Sequence, residues 1–259
     1  VVTSPFDLTG HRIAITGASR GLGAAIARCC AEAGADVALL ARSEDALEEL
    51  AAELRVFDRR VFVLPTDVTH SKEVDWAFQQ LSDAWGGLDG LVCNAGMNIR
   101  KPLLEMSDAE WDSVLQTDLT SMFYCVRAGV PLMQKGGSIV LMGSVAGLVA
   151  LPTGVAYAAA KAGIHQMART LTLELGPRAI RVNAIAPWYV ETPLTAGLLA
   201  DPAYRASVLH ATPLGRLGTP DDVAWATQFL LSRASDWISG QTLALDGGMS
   251  TLGFRGGGY

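Results

Sequence analysis

Short apolar runs rich in β-branched residues alternate with longer stretches whose apolar residues recur every three to four positions, almost throughout the 259-residue chain. The short runs predict strands at Ile13–Thr16, Asp36–Leu40, Val61–Leu64, Leu88–Val92, Ser138–Met142, Arg181–Ile185 and Thr242–Leu245. Helices are predicted at Leu22–Ala33, Ala46–Leu54, Val74–Trp85, Trp111–Met133, Ala156–Leu175 and Asp222–Leu231. Punctuation agrees, with Gly34 after the first helix and Pro177 after the long helix that precedes the sixth strand. Repeated β-α-β units imply a parallel sheet covered by helices on both faces, because each crossover lays a helix across the sheet. Right-handed crossovers then restrict the topology to a doubly wound α/β sheet of about seven strands. No linker, charge block or long internal repeat divides the chain, so residues 1–259 are expected to form one domain.

The stretch 188–218 departs from this alternation. Pro193, Gly197, Pro202 and Pro213 interrupt it, with Leu194, Leu198 and Leu199 between them. An excursion of this length is expected to be a lid or binding loop. Residues 136–160 carry no charge, yet Gly136, Gly137, Gly143, Gly147, Pro152 and Gly154 break them up, so a buried strand and loop are expected rather than a membrane span. The stretch Val1–Asp7 has neither a basic nor an apolar leader region, and no signal peptide is expected from it.

Half of the residues are hydrophobic and 18% are charged, which argues against disorder. A net charge of −6 and a pI near 5.2 argue against a nucleic-acid backbone as partner. Cys29, Cys30, Cys93 and Cys125 form no CxxC pair, so a reduced, cytoplasmic setting is expected. His11, His70, His165 and His210 are scattered without metal-ligand spacing; no metal is expected, and they read as structural or surface residues.

Chemistry concentrates in three places. The first strand runs into Thr16-Gly17-Ala18-Ser19-Arg20-Gly21-Leu22-Gly23 and then a helix. Glycines let such a turn approach a pyrophosphate, whose charge suits the helix amino terminus. Tyr157 and Lys161 lie four apart on a predicted helix and share a face. A nearby ammonium favours a phenolate, so Tyr157 could exchange a proton with a substrate oxygen. Ser144, at the end of the fifth strand, could hydrogen-bond the same oxygen as charge develops on it.

The Thr-Gly-x-x-x-Gly-x-Gly spacing, Asn94-Ala95-Gly96 after the fourth strand, Ser144, Tyr157-x-x-x-Lys161, Asp67-Val68 and Asp246-Gly247-Gly248 together resemble the short-chain dehydrogenase/reductase family along nearly the whole chain. The resemblance implies a Rossmann-type domain and hydride transfer between a nicotinamide and a carbonyl or secondary alcohol. It makes Tyr157 the general acid or base, has Lys161 hold the nicotinamide ribose and tune Tyr157, and has Ser144 orient the carbonyl. The implied cofactor contacts are Gly17, Ser19, Arg20, Gly21, Leu22, Gly23, Arg42, Asp67, Val68, Asn94, Ala95, Gly96, Tyr157, Lys161, Pro187, Val190 and Thr192. A homotetramer (or dimer) is also implied, with Phe254 near a neighbour's pocket; the tail Arg255–Tyr259 reads as flexible.

One position departs from the family. Asp118 stands where the catalytic tetrad usually has Asn. Asp keeps the size and an acceptor but loses the amide donor, and ionised beside Lys161 it favours the charged lysine. A tolerated near-isostere is expected, with a shifted pH profile or impaired turnover as the alternative.

Cofactor choice rests on Leu39-Leu40-Ala41-Arg42-Ser43, which ends the second strand with Arg42 rather than an acid. Arg42 and Arg20 suit a ribose 2′-phosphate, so NADP(H) is favoured over NAD(H); two solvated surface arginines would look the same in sequence. For the substrate, Pro187-Trp188-Tyr189-Val190-Glu191-Thr192-Pro193 resembles the tropinone-reductase-like branch. Met97, Val145, Leu148, Trp188, Tyr189 and Leu198 are candidate pocket residues, and the absence of a basic cluster points to a compact neutral ketone or alcohol. An NAD-dependent sugar-acid or polyol dehydrogenase of the gluconate 5-dehydrogenase kind, a 3-oxoacyl reductase, and a non-catalytic dinucleotide sensor share these motifs.

Overall fold

A computed structural model describes residues 4–134 and 136–251. The expectations for Phe254 and the tail Arg255–Tyr259 lie outside the described residues. Seven strands form one sheet: β1 (Arg12–Thr16), β2 (Asp36–Ala41), β3 (Val61–Pro65), β4 (Gly90–Cys93), β5 (Ser138–Met142), β6 (Arg181–Pro187) and β7 (Thr242–Leu245). Their spatial order is β3-β2-β1-β4-β5-β6-β7, and every pairing is parallel. The predicted Rossmann-type architecture is therefore the observed one.

Continuous apolar sequence explains the middle of the sheet. All five residues of β5 and all four of β4 are buried, as strands covered on both faces require. The covering helices are α1 (Gly21–Glu32), α2 (Glu44–Leu54), α3 (Ser71–Trp85), α4 (Asp108–Leu115), α5 (Ser121–Gly129), α6 (Val155–Leu175) and α9 (Pro220–Leu231). Strand order reverses between β1 and β4, which opens a crevice beyond their carboxyl ends.

Three differences from the sequence reading have physical causes. Helices α2, α4 and α9 begin where Ser43, Ser107 and Thr219 cap them, the last two through reciprocal capping boxes with Glu110 and Asp222. The single helix predicted over Trp111–Met133 is instead α4, a π-helical turn at Gln116–Thr120, α5 and a short 3-10 turn at Val130–Leu132. Ser121 N–H donates to the Gln116 carbonyl five residues back, and Pro131 has no N–H with which to continue α5.

The expected loop at 188–218 holds two helices, α7 (Pro193–Leu199) and α8 (Pro202–His210). Pro193 and Pro202 open these helices rather than breaking them. They cover a small apolar cluster of Tyr189, Leu199, Val208 and Leu217, separate from the main core. Among the described residues, no helix is long and apolar enough to cross a membrane, and no group of three or more His, Cys, Asp or Glu could hold a metal ion. All four cysteines are free thiols.

Candidate active site

The crevice begins at the turn after β1. Gly17 and Gly21 adopt φ of +65° and +58°, the left-handed region where a side chain is strained. A Cβ on Gly23 would stand 2.1 Å from the Gly17 carbonyl oxygen, so α1 can close on the turn only with glycine there. Asn94 ties the turn to β4: its Nδ2 donates to the carbonyls of Thr16 (3.1 Å) and Gly17 (3.2 Å). The amides of Asn94 and Ala95 donate to Thr16 Oγ1. No side chain caps the amino terminus of α1, where Arg20 is the N-cap residue, and Leu22 packs against the core. An uncapped helix start behind a glycine turn fits a dinucleotide pyrophosphate.

Beyond β3, Val68 is buried and the Asp67 carboxylate accepts from the amide and hydroxyl of Thr69. Burial raises the Asp67 carboxyl, but these bonds, His70 and Arg42 outweigh it and hold it below the usual range. Arg42 and Arg20 are both exposed. Thr192 and Pro193, at the start of α7, lie across Gly21: a Cβ there would be 3.7 Å from Thr192 Cβ and 3.6 Å from Pro193 Cδ. Val190 bridges Gly218 and Pro187 ends β6. The Asp246 carboxylate accepts from the amides of Gly248 and Ser250, bracing the turn after β7.

The second part of the site surrounds Lys161, which is 4% exposed. Its ammonium donates to the Met142 carbonyl at 3.0 Å and stands 3.3 Å from Asp118 Oδ2. The Nζ is also 5.2 Å from the centroid of the Tyr157 ring, one turn earlier on α6. Asp118, fully buried in the π-helical turn, accepts from the Met97 amide through Oδ1 at 2.7 Å. Its Oδ2 forms a charge contact with Lys161 rather than an aligned hydrogen bond. Burial raises the Asp118 carboxyl, and Lys161 and the Met97 amide only partly counter it. Burial pulls the Lys161 ammonium down, but Asp118 and then Tyr157 outweigh it and the net shift is upward. The pair therefore holds a charged lysine where an isolated one would tend to lose its proton.

One turn further along α6, His165 is buried behind Gly143, whose added Cβ would be 2.3 Å from Nε2. Neither ring nitrogen has an aligned hydrogen-bond partner. Burial lowers its pKa to about 4; the nearby Gly147 backbone opposes this, and Lys161 and Arg169 reinforce it.

Ser144 and Tyr157 line one cavity of about 430 Å³. Ser144 Oγ accepts the Ala146 amide at 3.2 Å, which fixes it at the mouth of β5. Gly147 lets this turn rest on α6, since a Cβ there would be 2.5 Å from the Lys161 carbonyl carbon. Of the candidate pocket residues, Val145, Trp188, Tyr189 and Leu198 line the cavity. Met97 and Leu148 are not among its lining residues: Met97 instead gives its amide to Asp118, and Leu148 is exposed.

The sequence reading missed Asn98, Arg100 and Tyr204, which also line the cavity. Gly154, with φ +95°, lets the segment after β4 approach the start of α6, since a Cβ there would be 2.7 Å from the Ile99 carbonyl oxygen. Asn98 Nδ2 donates to Thr153 Oγ1 across the same junction. Arg100 donates from Nη2 to the Tyr189 hydroxyl (2.8 Å) and from Nη1 to the Tyr204 hydroxyl (3.0 Å), and the two hydroxyls bond to each other. Burial and Tyr204 push the Tyr189 phenol up to about 12, against the pull of Arg100. The signal for Arg100 was its place four residues beyond Gly96, where the chain leaves the carboxyl end of β4.

A family model described as Enoyl-(Acyl carrier protein) reductase matches residues 17–250. A tropinone reductase homolog from Arabidopsis thaliana is 37% identical over 252 residues, covering 96% of this chain and 78% of that protein. A cis-4-hydroxycyclohexanecarboxylate dehydrogenase from Sinomonas cyclohexanicum is 40% identical over 246 residues, covering 93% of this chain and 98% of the relative. Among solved structures, a gluconate 5-dehydrogenase from Burkholderia cenocepacia in complex with NADP and tartrate superposes with a TM-score of 0.92. That match has 33% identity and covers 96% of this chain and 98% of that one.

Proposed function

Because the chain belongs to the short-chain dehydrogenase/reductase family, and so is an NAD(P)-dependent oxidoreductase of carbonyl and alcohol groups, we propose that it is an NADP(H)-dependent carbonyl reductase, reversible as a secondary-alcohol dehydrogenase. The observation that carries this reading is that Ser144 and Tyr157 face one cavity while the Lys161–Asp118 pair lies buried beside Tyr157. The bound nicotinamide supplies or accepts the hydride. Tyr157 gives a proton to the substrate oxygen during reduction and takes it back during oxidation. Ser144 hydrogen-bonds the same oxygen and steadies the charge that grows on it. Lys161 keeps a positive charge beside the phenol, and Asp118 keeps Lys161 charged.

Arg20, in the glycine turn, and Arg42, two residues beyond the Leu40 carbonyl that accepts from the Ala18 amide of that turn, support NADP(H), since two exposed guanidiniums suit a phosphate dianion. The Burkholderia relative, solved with NADP, lends the same choice support. The test follows reduced-cofactor absorbance with NADPH and with NADH against cyclic ketones, keto acids and sugars. Turnover is expected with NADPH, and Arg42→Ala should raise the KM for NADPH about tenfold more than that for NADH. Equal effects on both cofactors would overturn the NADP(H) assignment. Cofactor binding without turnover on any substrate would favour a dinucleotide sensor.

A further inference from the structure

Among the described residues, the wall of the cavity carries one cation and no carboxylate, the cation being Arg100. Among the described residues, no Asp or Glu oxygen lies within 4.0 Å of that guanidinium, whereas Arg12, Arg28, Arg60 and Arg216 each hold a carboxylate at 2.6–2.8 Å. Arg100 is fixed instead by two neutral acceptors, the hydroxyls of Tyr189 and Tyr204. The three groups together have more donors than acceptors. A guanidinium has five N–H bonds, of which two are used on the phenols; one phenol donates to the other, and the second phenol keeps its own proton. Arg100 is exposed, so its remaining N–H bonds are open at the cavity, whose described lining offers neutral polar groups such as Asn98, Thr195 and Ser207 but no carboxylate; an anion would meet them as a charged acceptor.

We infer that Arg100, with the Tyr189 and Tyr204 hydroxyls, binds a carboxylate on the substrate, so that the substrate is a keto or hydroxy monocarboxylic acid rather than a neutral ketone. This deepens the carbonyl–alcohol reading and rests on it. A single guanidinium matches a single negative charge, and among the described residues no second cation lines the cavity to favour a phosphate dianion. The position is also suitable: Asn98 and Gly154 dock the Arg100 segment on the start of α6, the helix that carries Tyr157. One cavity therefore holds the reacting oxygen at Ser144 and Tyr157 and the carboxylate at Arg100.

The test compares 4-oxocyclohexanecarboxylate with its methyl ester, which has the same ring and ketone without the charge. The expected result is a kcat/KM preference for the acid of about ten- to a hundredfold, the range of a hydrogen bond to a charged group. In Arg100→Leu that preference should collapse through KM for the acid. Arg100→Lys should restore part of it, because the charge returns without the planar fork. An equal loss on acid and ester in Arg100→Leu would mean that Arg100 only holds α8 in place, and would overturn the inference. So would a wild-type enzyme with no preference.

Binding decides the matter independently of turnover. Calorimetric titration of the enzyme with NADP present should show cyclohexanecarboxylate binding at least about tenfold more tightly than cyclohexanecarboxamide, and Arg100→Leu should erase the difference. Equal binding of the two overturns the carboxylate site. If no ketone is reduced while this discrimination holds, the reductase reading fails and the carboxylate site stands.

Discussion

Lys161 occupies a place where an ammonium is hard to keep charged: it is almost entirely buried, and its stabilising charge partner is a carboxylate that is itself buried. Asp118→Asn removes the partner while keeping the shape. Burial, the largest influence on Lys161, would then be countered less strongly, so its pKa should fall. The alkaline limb of the pH–kcat profile is therefore expected to move to lower pH in Asp118→Asn; an unmoved limb would detach Asp118 from the proton chemistry. Tyr157→Phe probes the next residue in the chain of contacts. It should bind NADPH as the wild type does, by fluorescence titration, and lose about 10²–10⁴ in kcat, the usual contribution of a positioned acid or base. Normal turnover in that variant would place the proton transfer elsewhere.

Elements show where a local pattern suffices and where it does not. Tyr157 and Lys161 were legible because a four-residue interval on a helix fixes a shared face. The turn after β1 was legible because glycines followed a strand and opened a helix, and Gly23 gives that reading a mechanical test. Gly23→Ala puts a methyl within 2.1 Å of a carbonyl oxygen, so the turn must shift. A loss of about 1–3 kcal/mol in urea unfolding is expected, with weaker NADPH binding. The helices α7 and α8 were not legible, because proline serves both as a breaker and as a first helical residue, and local spacing does not separate the two roles. Nor was the Arg100 cluster: its tyrosines lie 89 and 104 residues away in sequence, and only the closed fold brings them to the guanidinium.

For the molecule as a whole, the doubly wound parallel sheet was legible because right-handed crossovers leave few alternatives, but its response to acid was not. One part of that response comes from His165, which was read as an ordinary structural or surface residue. An unfolded imidazole takes a proton near pH 6.5, whereas the folded one resists until about pH 4. Between those values the folded state binds fewer protons, so this contribution to stability is full above pH 6.5 and is lost as the pH falls towards 4. The urea midpoint should fall across that window in the wild type. In His165→Leu the slope should flatten, and an unchanged slope would assign the acid sensitivity to other groups.

The π-helical turn at Gln116–Thr120 has a consequence for how this protein can vary in length. Helices α4 and α5 both turn a buried set inward across it: Val114 on one, and Met122, Cys125, Val126 and Gly129 on the other. Each residue of an α-helix advances the angle by about 100°. The wide turn closes over one residue more than an α turn for about the same rotation, so removing one residue would leave the inward sets of α4 and α5 facing the core as they do. It would change only the direction in which residue 118 points. The extra residue therefore serves to aim Asp118 at Lys161 and the Met97 amide, and the packing of the two helices does not depend on it.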